Sequence, residues 1–598
     1  NFIRTGLWNS WSRSMLDRGA IDESFLRALD AYVMTAAKNE IVVCFNFFAF
    51  TPPLNGGTNP YLDPRSLDWQ KSFITLITTR YNDINWVHYD LINEPSYSPP
   101  NDIWKNSPIG DQHEKNEWQN WINKKYPVAN SELMNKWRDA IGDIYQPPTE
   151  SELSYRIYKE DRRPRKVIDF NLFTQDVVTN WADTLNKTIK SVTDALVTLG
   201  QDEGGTSNRP AQQFHYTAVD YTSIHTWWLN DDLLWDGLIT KVPEKPNLIS
   251  ETGLMRLEDI DGEPWRSPNA AKNLLDRKFA LGFASRGAGI VQWAWNINPY
   301  MPIDNESAIG FLRPDGTAKI EIENINKYSK FFNTAQQFIE DYEPSEVVIV
   351  IPHSKIFAGR KNGDLSTKRF VRTITDHFGI TPSLISEYKL TAERLSNAKL
   401  VIIPSAEFIT DVAAKVLYDI SSKGTTVLFT GSLEGNSFGE LSEEILKLGL
   451  TNKSVPVALF EKYISQGDQS WKEVNVTFDN QQSEFIKKSV AEKLYSTKNI
   501  LHEPLPLELA REKEPLIDLL KFVFYKSGVY YQLDESPVST NILNMKKHSL
   551  IILVNESASN ITKKVKLGNF TLDVVVKSGE SKLLLVDKQT GTIISQTE

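Results

Sequence analysis

From residue 1 to about 330, short apolar runs alternate with amphipathic stretches. Phe2-Ile3-Arg4-Thr5 reads as a strand, with an amphipathic helix near 23–38 behind it. Ile41 to Phe48 is a second strand, followed by a helix near 66–80. A third run, Ile84 to Ile92, ends on Asn93-Glu94-Pro95. A polar and aromatic insertion then covers roughly 96–168. After it come a helix near 170–198, a strand ending near Gly200, strands at Tyr221–His225 and Pro246–Glu251, a helix near 269–284 and a last strand at Gly289–Asn296. Repeated strand-helix units predict parallel strands with right-handed crossovers. Seven strands are countable, one short of a (β/α)8 TIM barrel.

The pattern restarts near 345. Val347–Ile351, Leu400–Pro404 and Thr426–Thr430 read as strands, with helices at 366–378 and 409–422 between them. This predicts a small doubly wound α/β domain. No G-x-G-x-x-G follows any of its strands, so no dinucleotide site is expected. The tail from His548 alternates strands and turns, as a small antiparallel β-sandwich does. The expected domains are 1–335 (barrel, with the 96–168 insertion), 336–455 (α/β), 456–545 (a mixed extension) and 546–598 (antiparallel β).

Composition narrows the function classes. The chain has 598 residues, 24% of them charged, and a net charge of −10. A nucleic-acid protein would show a basic stripe instead. No run of about 18 apolar residues is present, so no membrane-spanning helix is expected. Cys44 is the single cysteine, which excludes an internal disulfide and a thiolate zinc cluster. The histidines have no metal-ligand spacing, and no cofactor is expected. Tryptophans concentrate before residue 300, among them Trp8, Trp11, Trp227, Trp228, Trp293 and Trp295. At strand ends both core packing and stacking on sugar rings stay open. The compartment stays open too, cytoplasmic or secreted.

Two glutamates carry the chemistry. Glu94 and Glu251 each follow an apolar strand and each precede a turn, Pro95 in one case and Thr252-Gly253 in the other. Loops at the C-terminal ends of barrel strands are where this fold builds its sites. Two carboxyls there, about 5–5.5 Å apart, are the minimum equipment for retaining glycoside hydrolysis.

With these residues the chain resembles the clan A retaining glycoside hydrolases. The resemblance implies Glu94 as acid/base at the end of strand four, Asn93 on the sugar 2-hydroxyl and Glu251 as nucleophile at the end of strand seven. It implies that Arg4 keeps the nucleophile ionised, while burial raises the pKa of the acid. His225 matches a strand-six histidine, although Trp227 stands where the clan usually has a tyrosine. Trp293 and Trp295, two apart on the expected last strand, match the tryptophan that floors the sugar site. Within the clan, Glu117-Trp118-Gln119-Asn120-Trp121-Ile122-Asn123-Lys124-Lys125-Tyr126, Leu133-Met134-Asn135-Lys136-Trp137 and Ala218-Val219-Asp220-Tyr221-Thr222-Ser223 are most similar to glycoside hydrolase family 42 β-galactosidases. Trimeric β-mannosidases share the layout. The family implies an amidotransferase-like α/β domain, no cofactor and a homotrimer. If Asn93-Glu94 ends strand four, Phe2–Thr5 is strand two, and a first strand is expected from an upstream segment or a separate chain. The expected function is a retaining exo-β-glycosidase acting on an oligosaccharide or glycoside, with β-galactosidase ahead of β-mannosidase and of an endo-β-glycanase. A catalytically dead carbohydrate-binding barrel is the alternative of another class.

Overall fold

The computed structural model describes residues 1–6, 21–100, 102–126, 137, 142–157, 162–202, 208–227, 232–255, 265–298, 309–360, 362–451, 453–467, 470–479, 485–533 and 536–598. Trp8, Trp11, Trp228 and the Leu133–Lys136 part of the insertion motif lie outside them. The residues fall into two compact units. The first is 1–225, 244–250 and 356–360; the second is 226–243, 251–355 and 361–598.

Seven strands form one sheet in sequence order: β1 (Phe2–Gly6), β2 (Val42–Ala49), β3 (Val87–Asn93), β4 (Val197–Gln201), β5 (Thr222–His225), β6 (Asn247–Thr252) and β7 (Gly289–Gln292). The pairs from β1 to β5 are parallel, as strand-helix alternation requires. The TIM-barrel expectation therefore holds. The connecting helices carry ordinary start signals. Asp22 caps α1 (Glu23–Lys38) by accepting from Ser24 N–H, and Leu26, Leu29, Val33 and Ala36 form its buried stripe. Asp63 caps α2 (Pro64–Arg80), with Pro64 in the first turn. The helix expected at 170–198 is α3 (Arg165–Lys190); its end is followed by β4, whose first residue is Val197.

The tryptophans of the insertion pack. Trp118 stacks on Trp121 at 5.7 Å and on Trp137 at 5.8 Å. One carboxylate on α3 gathers the motif: Asp169 accepts from Lys125 Nζ, Tyr126 OH and Trp137 Nε1 at 2.5, 2.5 and 2.8 Å. Packing accounts for these rings.

In the second unit the last barrel strand differs from expectation. It stops at Gln292 and does not reach Asn296. The Trp295 carbonyl instead accepts from Phe311 and Leu312 N–H at 2.9 and 3.0 Å. The chain has left the strand, so two-residue alternation gives no common direction for Trp293 and Trp295.

Further along, a six-stranded sheet runs Tyr495–Thr497, Ile500–Glu503, Thr426–Thr430, Leu400–Ile403, Val347–Ile351, Ser383–Ser386. Only its Tyr495–Thr497 edge is antiparallel. A four-stranded sheet over 538–596 packs against the hairpin Ile561–Leu567/Phe570–Val576 around Ile551, Leu553, Val565, Val574, Leu584 and Val586. No helix among the described residues is long and apolar enough to cross a membrane.

Glu503 ends a strand of the α/β sheet fully buried, with Ser465 Oγ and Leu505 N–H as donors at 3.0 and 3.2 Å. Burial pushes its carboxyl up to about 8. The folded chain thus holds this proton more tightly than the unfolded chain. The associated stability is complete below the ordinary carboxylate range and is lost as pH rises toward about 8. Glu503→Gln keeps the shape and removes the titration. The fall in Tm between about pH 5 and 8 should flatten in this variant when followed by calorimetry.

Candidate active site

Arg4, in the middle of β1, organises the first unit's share of the barrel mouth. Asp90 Oδ2 accepts from its Nε at 2.9 Å and its Nη2 at 2.7 Å, and Asn93 Oδ1 accepts from Nη2 at 2.8 Å. The Arg4 and Asp90 side chains are 2% and 0% exposed. A guanidinium taken so far from water needs its fork filled, and here it is.

Asp90 and Asn93 are three residues apart, so a regular strand would point them to opposite faces. The pairing of β3 with β4 slips between them: Asp90 faces Thr198, and Asn93 faces Gly200. The extra residue on β3 is a bulge, and it turns Asn93 to the face of Asp90. Gly200 belongs to the same construction. A Cβ there would lie 2.8 Å from His225 Nε2 and 3.2 Å from Asp90 Oδ2, so a side chain would force the network apart.

Glu94 follows directly, with φ +50°. Its N–H donates to the Gly200 carbonyl at 2.7 Å. His225 Nδ1, at the end of β5, is 2.9 Å from Oε1, and Trp104 Nε1–H donates to Oε2 at 2.7 Å. Burial pushes this carboxyl's pKa up. The bond and charge of His225, the Trp104 N–H and the Arg4 charge outweigh it and hold Glu94 below the usual range. Burial raises this pKa, as expected, but the sum of the opposing bonds and charges is larger. Phe50 and Trp104, which meet edge to face at 5.5 Å, also have left-handed backbones, φ +60° and +56°. Such residues persist where their surroundings over-determine them, often at functional sites.

Beyond β4, Asp202 pairs with Arg209 at 2.6 Å. Burial raises its pKa; Arg209 opposes that and the charge of Glu94 adds to it. Asn46, on β2 in register with Asp90 and fully buried, has no hydrogen-bond partner for either amide atom among the described residues. That leaves it bonding capacity for a polar ligand.

The second unit opens inside β6. Glu251, next to last in that strand, is buried, and its carbonyl accepts from Thr226 N–H at 3.1 Å. Lys278 Nζ, fully buried on the helix Pro268–Ala284, donates to the Trp227 and Gly253 carbonyls at 2.6 Å each. It clamps the segments that leave β5 and β6. Trp227 is buried there. Trp293 N–H donates to the Thr252 carbonyl at 2.8 Å, and the Trp293–Ala294 peptide is cis. Trp295 is 53% exposed and meets Phe311 edge to face.

Of the residues expected from sequence, Arg4, Asn93, Glu94 and His225 form one bonded network. Trp227 just after β5, Glu251 within β6 and Trp293 just after β7 belong to the second unit. Asp90, Gly200, Trp104 and Lys278 were not anticipated. Asp90 carried a visible signal, a charge inside an apolar strand; the other three carried none.

No protein-family model matches the sequence, and no curated protein sequence matches it. The fold is shared with solved structures of several glycosidases. A β-galactosidase from Bacillus circulans sp. alkalophilus superposes with a TM-score of 0.74 at 13% identity, covering 98% of this chain and 94% of that one. An exo-carrageenase of glycoside hydrolase family 42 from Bacteroides ovatus gives 0.60 at 11% identity, covering 98% and 79%. An exo-β-1,4-mannosidase from Opitutaceae bacterium strain TAV5 gives 0.52 at 12%, covering 89% and 90%.

Two outcomes follow from the network. Asp90→Ala strands a buried guanidinium and should cost about 3–5 kcal/mol in denaturant unfolding. Trp104→Phe keeps the ring and deletes the donor to Glu94, so the Glu94 carboxyl should titrate at higher pH in 13C NMR.

Proposed function

We propose that the protein is a retaining exo-β-glycosidase, with terminal β-galactosides as its favoured substrates. The observation that carries this is Glu94 at the end of β3: a buried strand-end carboxyl held between His225, Trp104 and the Arg4–Asp90–Asn93 cluster. Glu251, next to last in β6 of the same sheet, supplies the second carboxyl. The fold shared with a β-galactosidase and with two glycosidases described as exo-acting supports the class.

In this mechanism Glu251 attacks the anomeric carbon while Glu94 gives its proton to the departing glycosidic oxygen. A covalent glycosyl ester forms on Glu251. Glu94, now a carboxylate, takes a proton from the water that breaks the ester, and both residues return to their starting states. The bonds to Glu94 favour the carboxylate and so suit the second step. For the first step they set a limit: turnover falls on the alkaline side at lower pH than for an unbonded buried glutamate. Asn93 and Asn46 offer amide groups to sugar hydroxyls, and Trp227, Trp293 and Trp295 offer aromatic faces. The resemblance to family 42 extends the proposal to a homotrimer.

A panel of aryl β-galactoside, β-mannoside, β-glucoside and β-fucoside identifies the sugar. Glu94→Ala should lose about 10²–10⁴-fold in kcat on the best of them. Glu251→Ala should lose several orders of magnitude. Azide should rescue each, with a β-glycosyl azide from the Glu94 variant and an α-glycosyl azide from the Glu251 variant. Unimpaired turnover in both variants would overturn the assignment.

A further inference from the structure

We infer that Trp104, seated on Phe50, forms a binding subsite for the leaving-group sugar, so that the natural substrates are disaccharides or oligosaccharides with a pyranose aglycone. The inference rests on Glu94 being the acid/base. Trp104 is 52% exposed although its indole N–H is tethered to Glu94 Oε2 at 2.7 Å. An open aromatic surface fixed at one edge has already lost most of its rotamer freedom, which lowers the cost of stacking a ligand on it. Its partner Phe50 is fixed too. Phe50 N–H donates to the Asn93 carbonyl, and the Phe50 carbonyl accepts from Ser96 N–H, both at 2.7 Å.

Direction follows from chemistry. The acid/base protonates the glycosidic oxygen, and the other substituent of that oxygen is the leaving group. His225 holds Oε1 from the buried side, being fully buried itself. The half-exposed Trp104 holds Oε2, and so stands where the departing sugar passes. The C–H face of a pyranose is the apolar surface an exposed indole accepts. Three left-handed residues, Phe50, Glu94 and Trp104, converge on this point, and such conformations persist only where the surroundings over-determine them.

The test compares two substrates of the same glycosyl group: a β-linked disaccharide ending in glucose, and the β-glycosyl fluoride, whose leaving group offers nothing to stack. For Trp104→Ala, the loss of kcat/KM on the disaccharide should exceed that on the fluoride by about tenfold or more. Trp104→Phe keeps a stacking face without the N–H. It should retain most of the preference for the disaccharide while its pH profile moves to higher pH. Equal losses on both substrates in Trp104→Ala would mean that Trp104 acts only through Glu94 and would overturn the subsite. So would a preference lost equally in the Phe variant, or no loss at all. A wild-type protein that cleaves neither substrate overturns the glycosidase proposal itself, and the subsite with it.

Discussion

The buried pairing of Arg4 with Asp90 is the constraint on which the mouth of this barrel depends. Two hydrogen bonds from one guanidinium fix Asp90, a third fixes Asn93, and Asn93 passes its position to Glu94 through one peptide bond. Neither charge has water to fall back on, so the geometry tolerates little drift. The β3 bulge and the bare backbone at Gly200 are the conditions under which the pairing can form. One is a slip in register and the other a missing side chain, and both serve the same three side chains.

Much of the fold was legible because parallel strands covered on both faces read as nearly continuous apolar runs. Val347–Ile351 and Thr426–Thr430 match their expected limits to the residue. Glu94 and Glu251 were legible because each closes such a run. What failed to show was whatever depends on register or on distant neighbours. Parity along β3 would send Asn93 away from Asp90, and only the pairing with β4 reveals the bulge. Trp104 lies in a loop with no periodic signal, and Lys278 lies on a helix whose cation could as well have faced water. The last strand was overdrawn because Trp293-Ala294-Trp295 has strand-like composition, while the Trp295 carbonyl is claimed by Phe311 and Leu312.

The tryptophans divide by what their ring nitrogens meet. Trp137 gives its N–H to Asp169 in a cluster where Trp118 stacks between Trp121 and Trp137. Those rings hold the insertion to the long helix after it. Trp104 gives its N–H to Glu94 and keeps half its surface open. A count of tryptophans cannot separate the two uses, but the carboxylate at the end of each bond does. Asp169 gathers three donors and is saturated by packing, whereas Glu94 also answers to a histidine poised at a strand end.

The left-handed backbones at Phe50, Glu94 and Trp104 also bear on engineering. A common route to a more heat-resistant protein is to place glycine wherever a side chain is forced into that region, since each such exchange can relieve about 1 kcal/mol of strain. Applied to this chain, the search would flag nine of the described residues, and three of them, Phe50, Glu94 and Trp104, belong to the barrel mouth. Thermal tolerance gained there would come at the expense of the rings and the carboxyl that give the mouth its chemistry.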